Sequence, residues 1–232
     1  MEKPQSKSDK SYKLMVVGAG GVGKTALLLL FTRMRDRYYP DDYDPNFELT
    51  FAREVDVGDE SCRLDLLDTT GGIGAPGTDS DLQSRYWAGQ VPTADGFLLV
   101  YAINARQTFE ELPAVHAHIV ELLKMKKNDG DHDGDATQTP PPAVVVGSKC
   151  DLEDRRVVHP DEAKELARSF GASYIETSAK AGINVDEAFI ELVHQIQLRQ
   201  AACHRHRKSN KTKKVLELRF PPFNGSLAYD PT

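Results

Sequence analysis

The sequence has few cysteines and no long apolar run. Its three cysteines, Cys62, Cys150 and Cys203, are odd in number and far apart. They offer neither a disulfide framework nor the short spacings of a metal site, which fits a reducing compartment. No apolar stretch approaches the ~18 residues that span a bilayer. Met1 to Ser11 is polar and lacks the apolar core of a signal peptide, so residues 1–11 are expected to be a disordered N-terminus. A surplus of positive charge is missing too. Lys and Arg total 29 against 35 acids, a net charge of −6, which argues against general nucleic-acid binding. No internal repeat is present. A hydrophobic share of 40% in 232 residues leaves enough apolar material for one globular domain with tails.

What is present is concentrated near the start. Gly18-Ala19-Gly20-Gly21-Val22-Gly23-Lys24-Thr25 fits G-x-x-x-x-G-K-[ST], the phosphate-binding P-loop. It follows the apolar run Tyr12–Val17, read as a strand, and precedes Ala26–Phe31, read as the start of a helix. Glycines let the backbone curl so that successive N–H groups point inward at phosphate oxygens. The following helix adds the positive end of its dipole. Lys24 is spaced to reach β- and γ-phosphates, and Thr25 to place a hydroxyl on Mg²⁺.

Further on, strands and helices alternate. The first helix is expected from Lys24 to about Arg35. Phe47–Val57 and Cys62–Leu67 flank Gly58-Asp59 as a hairpin. A short helix is expected around Leu82–Gly89. Phe97–Ile103 is continuously apolar, as a central parallel strand should be. Thr108 with Glu111 reads as a capping box opening a helix whose inner face is Leu112, Val115, Ile119, Leu122 and Leu123. The acidic, Pro-ended stretch 128–142 reads as a disordered insertion. Val144–Gly147 and Tyr174–Ile175 are further strands. Pro160 opens a helix facing inward through Ala163, Leu166, Ala167 and Phe170. Asn184 with Glu187 starts the last helix, with Val185, Ala188, Phe189, Leu192, Val193 and Ile196 as its stripe. The alternation predicts an α/β fold, a doubly wound and mostly parallel sheet with helices on both faces. Ligands in such sheets sit at the carboxyl ends of the strands. The P-loop and the loops after Leu67, Gly147 and Ile175 all fall there.

Those loops carry the remaining chemistry. Asp68-Thr69-Thr70-Gly71 closes a strand, where an acid can hold Mg²⁺, usually through water. Ser148-Lys149-Cys150-Asp151 follows another. A carboxylate at Asp151 can accept two N–H bonds from guanine and finds no such pair on adenine. Glu176-Thr177-Ser178-Ala179-Lys180 follows the next strand. An ATP-using P-loop kinase is disfavoured by Asp151 and by the lack of an Arg-rich lid.

These four pieces, in this order, resemble the Ras family of small GTPases, and the resemblance runs from about Tyr12 to Leu198. It implies a six-stranded sheet with five helices, GDP or GTP with Mg²⁺ as ligands, and a domain over 12–200. By position, Gly20, Gly21, Val22, Gly23 and Lys24 would wrap phosphates, with Ala26 beside them. Thr25 and Asp68 would hold Mg²⁺. Lys24 and the Gly71 amide would act on the γ-phosphate. Tyr39 would lie against the guanine edge and Lys149 over the base. Ser148, Asp151, Ser178, Ala179 and Lys180 would complete the base site, the Ala179 amide meeting the guanine oxygen. Tyr43-Asp44-Pro45 resembles the family's first switch. Effectors and exchange factors would then meet region 43–51 and loop 71–81, and the protein would act as a monomer in intracellular signalling.

Three departures qualify this. Asn46 stands where the family's first switch has a Mg²⁺-sensing Thr. Gly72 stands where the family's Gln orients the attacking water, and the loop after it is longer than the family's. Ser148 replaces the Asn that ties the base to the P-loop, and Ser is too short to copy both bonds. One lost buried bond costs about 1–3 kcal/mol, or roughly ten- to hundredfold in affinity. Two readings therefore stay open: a slow GTPase switch, and a nucleotide-bound interaction module that hardly hydrolyses or switches. The stretch Arg199–Lys214 is basic without an acid, and 201–232 reads as a disordered tail. The final residues contain no C-a-a-X box. Basic attachment to anionic lipid, at ~1 kcal/mol per residue near the surface, would place a cytoplasmic protein at the inner face of the plasma membrane.

Overall fold

Strand β1 (Lys10–Val17) is buried on both faces along its apolar stretch, the pattern of a strand with helices above and below. The computed structural model of the chain describes residues 10–34, 50–58, 60–69, 80–127 and 141–219. After β1 come α1 (Lys24–Phe31), β2 (Thr50–Val57), β3 (Glu60–Asp68), α2 (Ser80–Gln90), β4 (Gly96–Ala102), α3 (Arg106–Glu110) and α4 (Leu112–Lys127). Then follow β5 (Ala143–Ser148), a 3₁₀ segment (Cys150–Arg155), α5 (Pro160–Phe170), β6 (Ser173–Glu176) and α6 (Val185–Arg219). The strands form one six-stranded sheet in the order β2-β3-β1-β4-β5-β6. Only β2 runs antiparallel, joined to β3 by the hairpin in which Gly58 takes φ +63. The expected doubly wound sheet is the observed one.

Alternation of side chains divides the core into two layers. On one face Leu14, Val16, Leu98 and Val100 pack against Leu27, Leu28 and Phe31 of α1 and the Val185–Ile196 stripe of α6. On the other, Met15, Val17, Leu99 and Tyr101 pack against Trp87 of α2, Phe109 of α3, Leu112, Val115 and Ile119 of α4, and Ala163, Ala167 and Phe170 of α5. Each fully buried Leu or Phe contributes about 1.5–3 kcal/mol.

Several boundaries differ from the sequence reading, each for a local reason. β1 starts at Lys10, because Lys10 and Ser11 pair with Cys62 and Arg63 of β3 and are not part of a disordered terminus. α1 stops at Phe31, short of Arg35. Arg33 takes the left-handed conformation (φ 56), and Met34 N–H donates to Leu29 O while Arg33 N–H donates to Leu30 O. Those two bonds are a Schellman stop. The Thr108 capping box does not form. The Thr108 hydroxyl sits inside α3, accepting from Ala102 N–H at 3.0 Å and donating to Ala105 O at 2.7 Å. Pro113 then breaks the helix at Glu111, because its ring clashes with the carbonyl four residues back and it has no N–H to donate. The single helix expected from Thr108 is thus two, α3 and α4. α5 does begin at Pro160, capped by His159, whose Nδ1 accepts from Asp161 N–H at 3.3 Å while Glu162 accepts from His159 N–H at 3.2 Å. The Asn184 side chain does not cap α6; it turns back and donates to Glu176 O at 2.9 Å. Of the expected insertion 128–142, residues 128–140 lie outside the described residues. Pro141 is buried, and Pro142 O accepts from Phe97 N–H at 3.0 Å, which ties that end into the sheet.

The chain divides into two units, Met1–Ile196 and Gln197–Thr232. α6 continues to Arg219, into the segment expected to be an unstructured tail. Residues 201–219 contain no Gly or Pro and are rich in Lys, Arg, Ala and Leu, which favour helix.

Candidate functional site

Everything at the site hangs from strand ends. β1 ends at Val17, and the chain turns at Gly18 (φ +146), where a Cβ would come 2.0 Å from the Val100 carbonyl oxygen. No other residue fits there. Gly23 (φ +96) then aims the chain into α1. The loop is closed from inside by Lys24, whose Nζ donates to Gly18 O at 2.9 Å and Ala19 O at 2.8 Å. With two of its three protons used, the ammonium has one left to aim outward. The residue is only 7% exposed. Burial pulls its pKa below the ordinary lysine range, and the Asp68 carboxylate opposes that.

One residue on, Thr25 Oγ1 donates to Asp68 Oδ2 at 2.5 Å. Asp68 closes β3, which Thr69 holds against β1 by donating from Oγ1 to Val16 O at 2.8 Å. Asp68 is buried, and burial pushes its carboxyl up; the Thr25 hydroxyl and the Lys24 charge pull the other way. Its Oδ1 is buried without a partner among the described residues. A buried carboxylate oxygen without a partner, beside a hydroxyl, is an oxygen set that suits a hard divalent cation completed by waters and a ligand. The residues present therefore fit Mg²⁺.

At the other end lies a cavity of about 320 Å³. Its wall includes Val22, Gly23, Ala26, Ser148, Lys149, Asp151, Ala179 and Lys180, all expected from the sequence. Lys149 takes the left-handed conformation (φ 63), and its Nζ donates to Gly21 O at 2.7 Å, so its stem crosses from β5 to the phosphate loop. Asp151 Oδ1 accepts from Ser178 Oγ at 2.5 Å, and Ser178 Oγ accepts from Ala181 N–H at 3.0 Å. That chain of bonds fixes the carboxylate and leaves Oδ2 without a protein partner among the described residues.

Ser148 keeps the link to the phosphate loop. Its Oγ reaches two carbonyls, Val22 O at 2.6 Å and Tyr101 O at 2.7 Å. The hydroxyl has one proton for two acceptors.

Two wall residues, Leu27 and Leu152, were not anticipated. Their signal was adjacency, since each is apolar and stands beside a motif. Gly20 and Gly21 sit in the phosphate loop, outside the cavity wall. Tyr39, Gly71, Asn46 and Gly72 lie outside the described residues, as does most of the loop 71–81. The arrangement thus presents a glycine loop and a buried lysine at one end, and a fixed carboxylate acceptor in a largely apolar cavity at the other. It can hold a polyanion and a planar ring with adjacent N–H groups at the same time. No helix of the described residues is long and apolar enough to cross a membrane.

Comparison with known proteins agrees with this geometry. A family model described as the Ras family matches residues 13–198. The Ras-like protein rasB of Dictyostelium discoideum is 38% identical over 200 residues, covering 86% of this chain and 89% of the relative.

Proposed function

The chain belongs to the Ras family of small GTPases, and we propose that it binds GDP and GTP with Mg²⁺ and hydrolyses GTP slowly as a signalling switch. One observation carries the reading. A single turn of α1 serves both ends of the site: Lys24 and Thr25 face the phosphate end, while Ala26 and Leu27 wall the ring cavity. A nucleotide is the ligand class that joins a polyanion to a planar ring.

In this reading Asp151 accepts the two N–H groups of guanine, Lys149 lies over the ring, and the Ala179 amide donates to the ring oxygen. Ser178 and Lys180 hold that loop. Gly20, Gly21, Val22 and Gly23 turn N–H groups toward phosphate oxygens, and Lys24 donates its remaining proton to them. Thr25 and Asp68 would hold Mg²⁺, which supplies charge neutralisation on the phosphates when bound. The Gly71 amide donates to the γ-phosphate, and Tyr39 covers the guanine edge. Effectors and exchange factors meet region 43–51 and loop 71–81, and the basic run 199–214 meets an anionic membrane surface.

Gly72 favours a second reading beside this one. It has no side chain to orient water, and Asn46 replaces the switch Thr, so the protein would be a nucleotide-bound interaction module. Nucleotide extraction from purified protein, with GTP turnover on the same sample, separates the two. Bound guanine nucleotide with slow turnover supports the switch. Bound guanine nucleotide with none supports the module, and no guanine nucleotide contradicts both.

A further inference from the structure

Behind the ring cavity lies a polar cluster that has no part in the chemistry above. Arg156 follows the 3₁₀ segment, and its side chain is only 12% exposed. Its guanidinium forks onto Glu176, with Nη1 to Oε1 and Nη2 to Oε2 both at 2.8 Å. It also donates to Glu153, from Nη2 to Oε2 at 2.6 Å and from Nε to Oε1 at 2.9 Å and Oε2 at 3.0 Å, and to Val158 O at 3.2 Å. Glu176 Oε1 takes a further bond from the Tyr174 hydroxyl at 2.5 Å, and that hydroxyl meets the buried Tyr101 hydroxyl at 3.1 Å. Gly147 makes room for this: a Cβ there would lie 3.0 Å from Tyr101 Oη and 3.1 Å from Tyr174 Oη.

The position of the pair matters. Glu176 ends β6 immediately before Thr177–Lys180, and Arg156 ends the segment that begins with Lys149 and Asp151. One ion pair thus joins the point where the second cavity-lining loop leaves the sheet to the far end of the 3₁₀ segment that carries Asp151. At the cavity they meet through Cys150 N–H to Thr177 O at 3.0 Å and Ser178 Oγ to Asp151 Oδ1 at 2.5 Å. Asn184 Nδ2 holds the Glu176 carbonyl from the far end of the same loop.

We propose that Arg156 is a positioning residue for base recognition, its fork on Glu176 setting the spacing between the Asp151 carboxylate and the Ala179 amide. The inference rests on the guanine-nucleotide reading. One planar ring must satisfy both groups at once, the carboxylate on its N–H edge and the amide on its oxygen. That tolerates little change in spacing. A bidentate guanidinium–carboxylate pair fixes angle as well as distance, which a lysine cannot do.

The test is release of fluorescent GDP and IDP from the full chain, each with and without EDTA. IDP lacks the 2-amino group, so the preference for GDP over IDP reads the alignment of Asp151. EDTA acceleration reads the Thr25–Asp68 end separately. Arg156→Met is expected to release GDP about tenfold faster, with a reduced preference for GDP over IDP and unchanged EDTA acceleration. Arg156→Lys keeps the charge without the fork and is expected to lose the same preference; it carries the comparison if Arg156→Met does not fold. Release of both nucleotides accelerated equally, with the preference intact, would show a general loosening and overturn the inference. So would variants indistinguishable from wild type. A wild type that binds neither GDP nor IDP overturns the guanine reading itself, and this inference with it.

Discussion

The hydroxyl of Ser148 lies 2.6 Å from the carbonyl oxygen of Val22, linking the end of β5 to the phosphate loop. The same hydroxyl lies 2.7 Å from Tyr101 O. A single proton cannot satisfy both, so this link between β4, β5 and the loop is at half strength at any instant. An asparagine amide carries two protons. Ser148→Asn is therefore expected to slow GDP release by about tenfold. Ser148→Ala should speed release and lower stability by about 1–3 kcal/mol, because two buried carbonyls lose their donor. GDP release and urea unfolding check the pair. Release from Ser148→Asn as fast as from wild type would contradict the role given to the proton count.

Alkaline stability should depend on Tyr101. Burial pushes its phenol from 10.0 up to about 12, with the Tyr174 hydroxyl opposing. The folded state then keeps a proton that the unfolded chain gives up between pH 10 and about 12. The stability this contributes is whole below pH 10 and is lost as the pH rises toward about 12. Tyr101→Phe should lessen, without abolishing, the loss of urea-measured stability across that window, because burial and the bond to Glu176 push the Tyr174 phenol up as well; its cost below the window is about 1 kcal/mol from the bond lost to Tyr174. An identical alkaline loss in the variant would assign it to other groups.

The parallel strands were legible because both their faces are buried, so Phe97–Ile103 reads as an unbroken apolar run. The phosphate loop was legible because its geometry leaves so few residue types, as Gly18 against the Val100 carbonyl shows. The break at Glu111 was misread. Thr108 and Glu111 have the spacing of a cap, but the Thr108 hydroxyl found backbone partners inside the turn, and Pro113 set the break. The length of α6 is hidden in the sequence because Lys and Arg in that run stand out as charge, while they are also good helix formers. The Arg156–Glu176 pair left no local trace, since residues twenty apart are brought together only by the crossover through α5.

Turnover should be slow. With Gly72 in place of a water-orienting side chain, intrinsic hydrolysis is expected at or below the value for Ras itself, ~10⁻⁴ s⁻¹, with little response to a Ras-type activating protein. Gly72→Gln should raise the rate. Single-turnover GTP hydrolysis measures it, and strong stimulation of the wild type would mean that another residue of the long loop, Gln83 being one candidate, orients the water.

The basic run should act through charge. Vesicles containing anionic lipid are expected to bind the full chain better than a version ending at Leu198, and added salt should weaken that binding. Equal binding of the two at low salt would leave the run without a membrane role.

Base choice depends on the Asp151 carboxylate. Displacement of a fluorescent guanine nucleotide is measured with GTP, ATP and XTP as competitors, on wild type and on Asp151→Asn. Wild type is expected to respond to GTP and hardly to ATP. Asp151→Asn should shift toward XTP, whose 2-oxo group needs the donor that the amide supplies. ATP competing as well as GTP on the wild type would contradict the account.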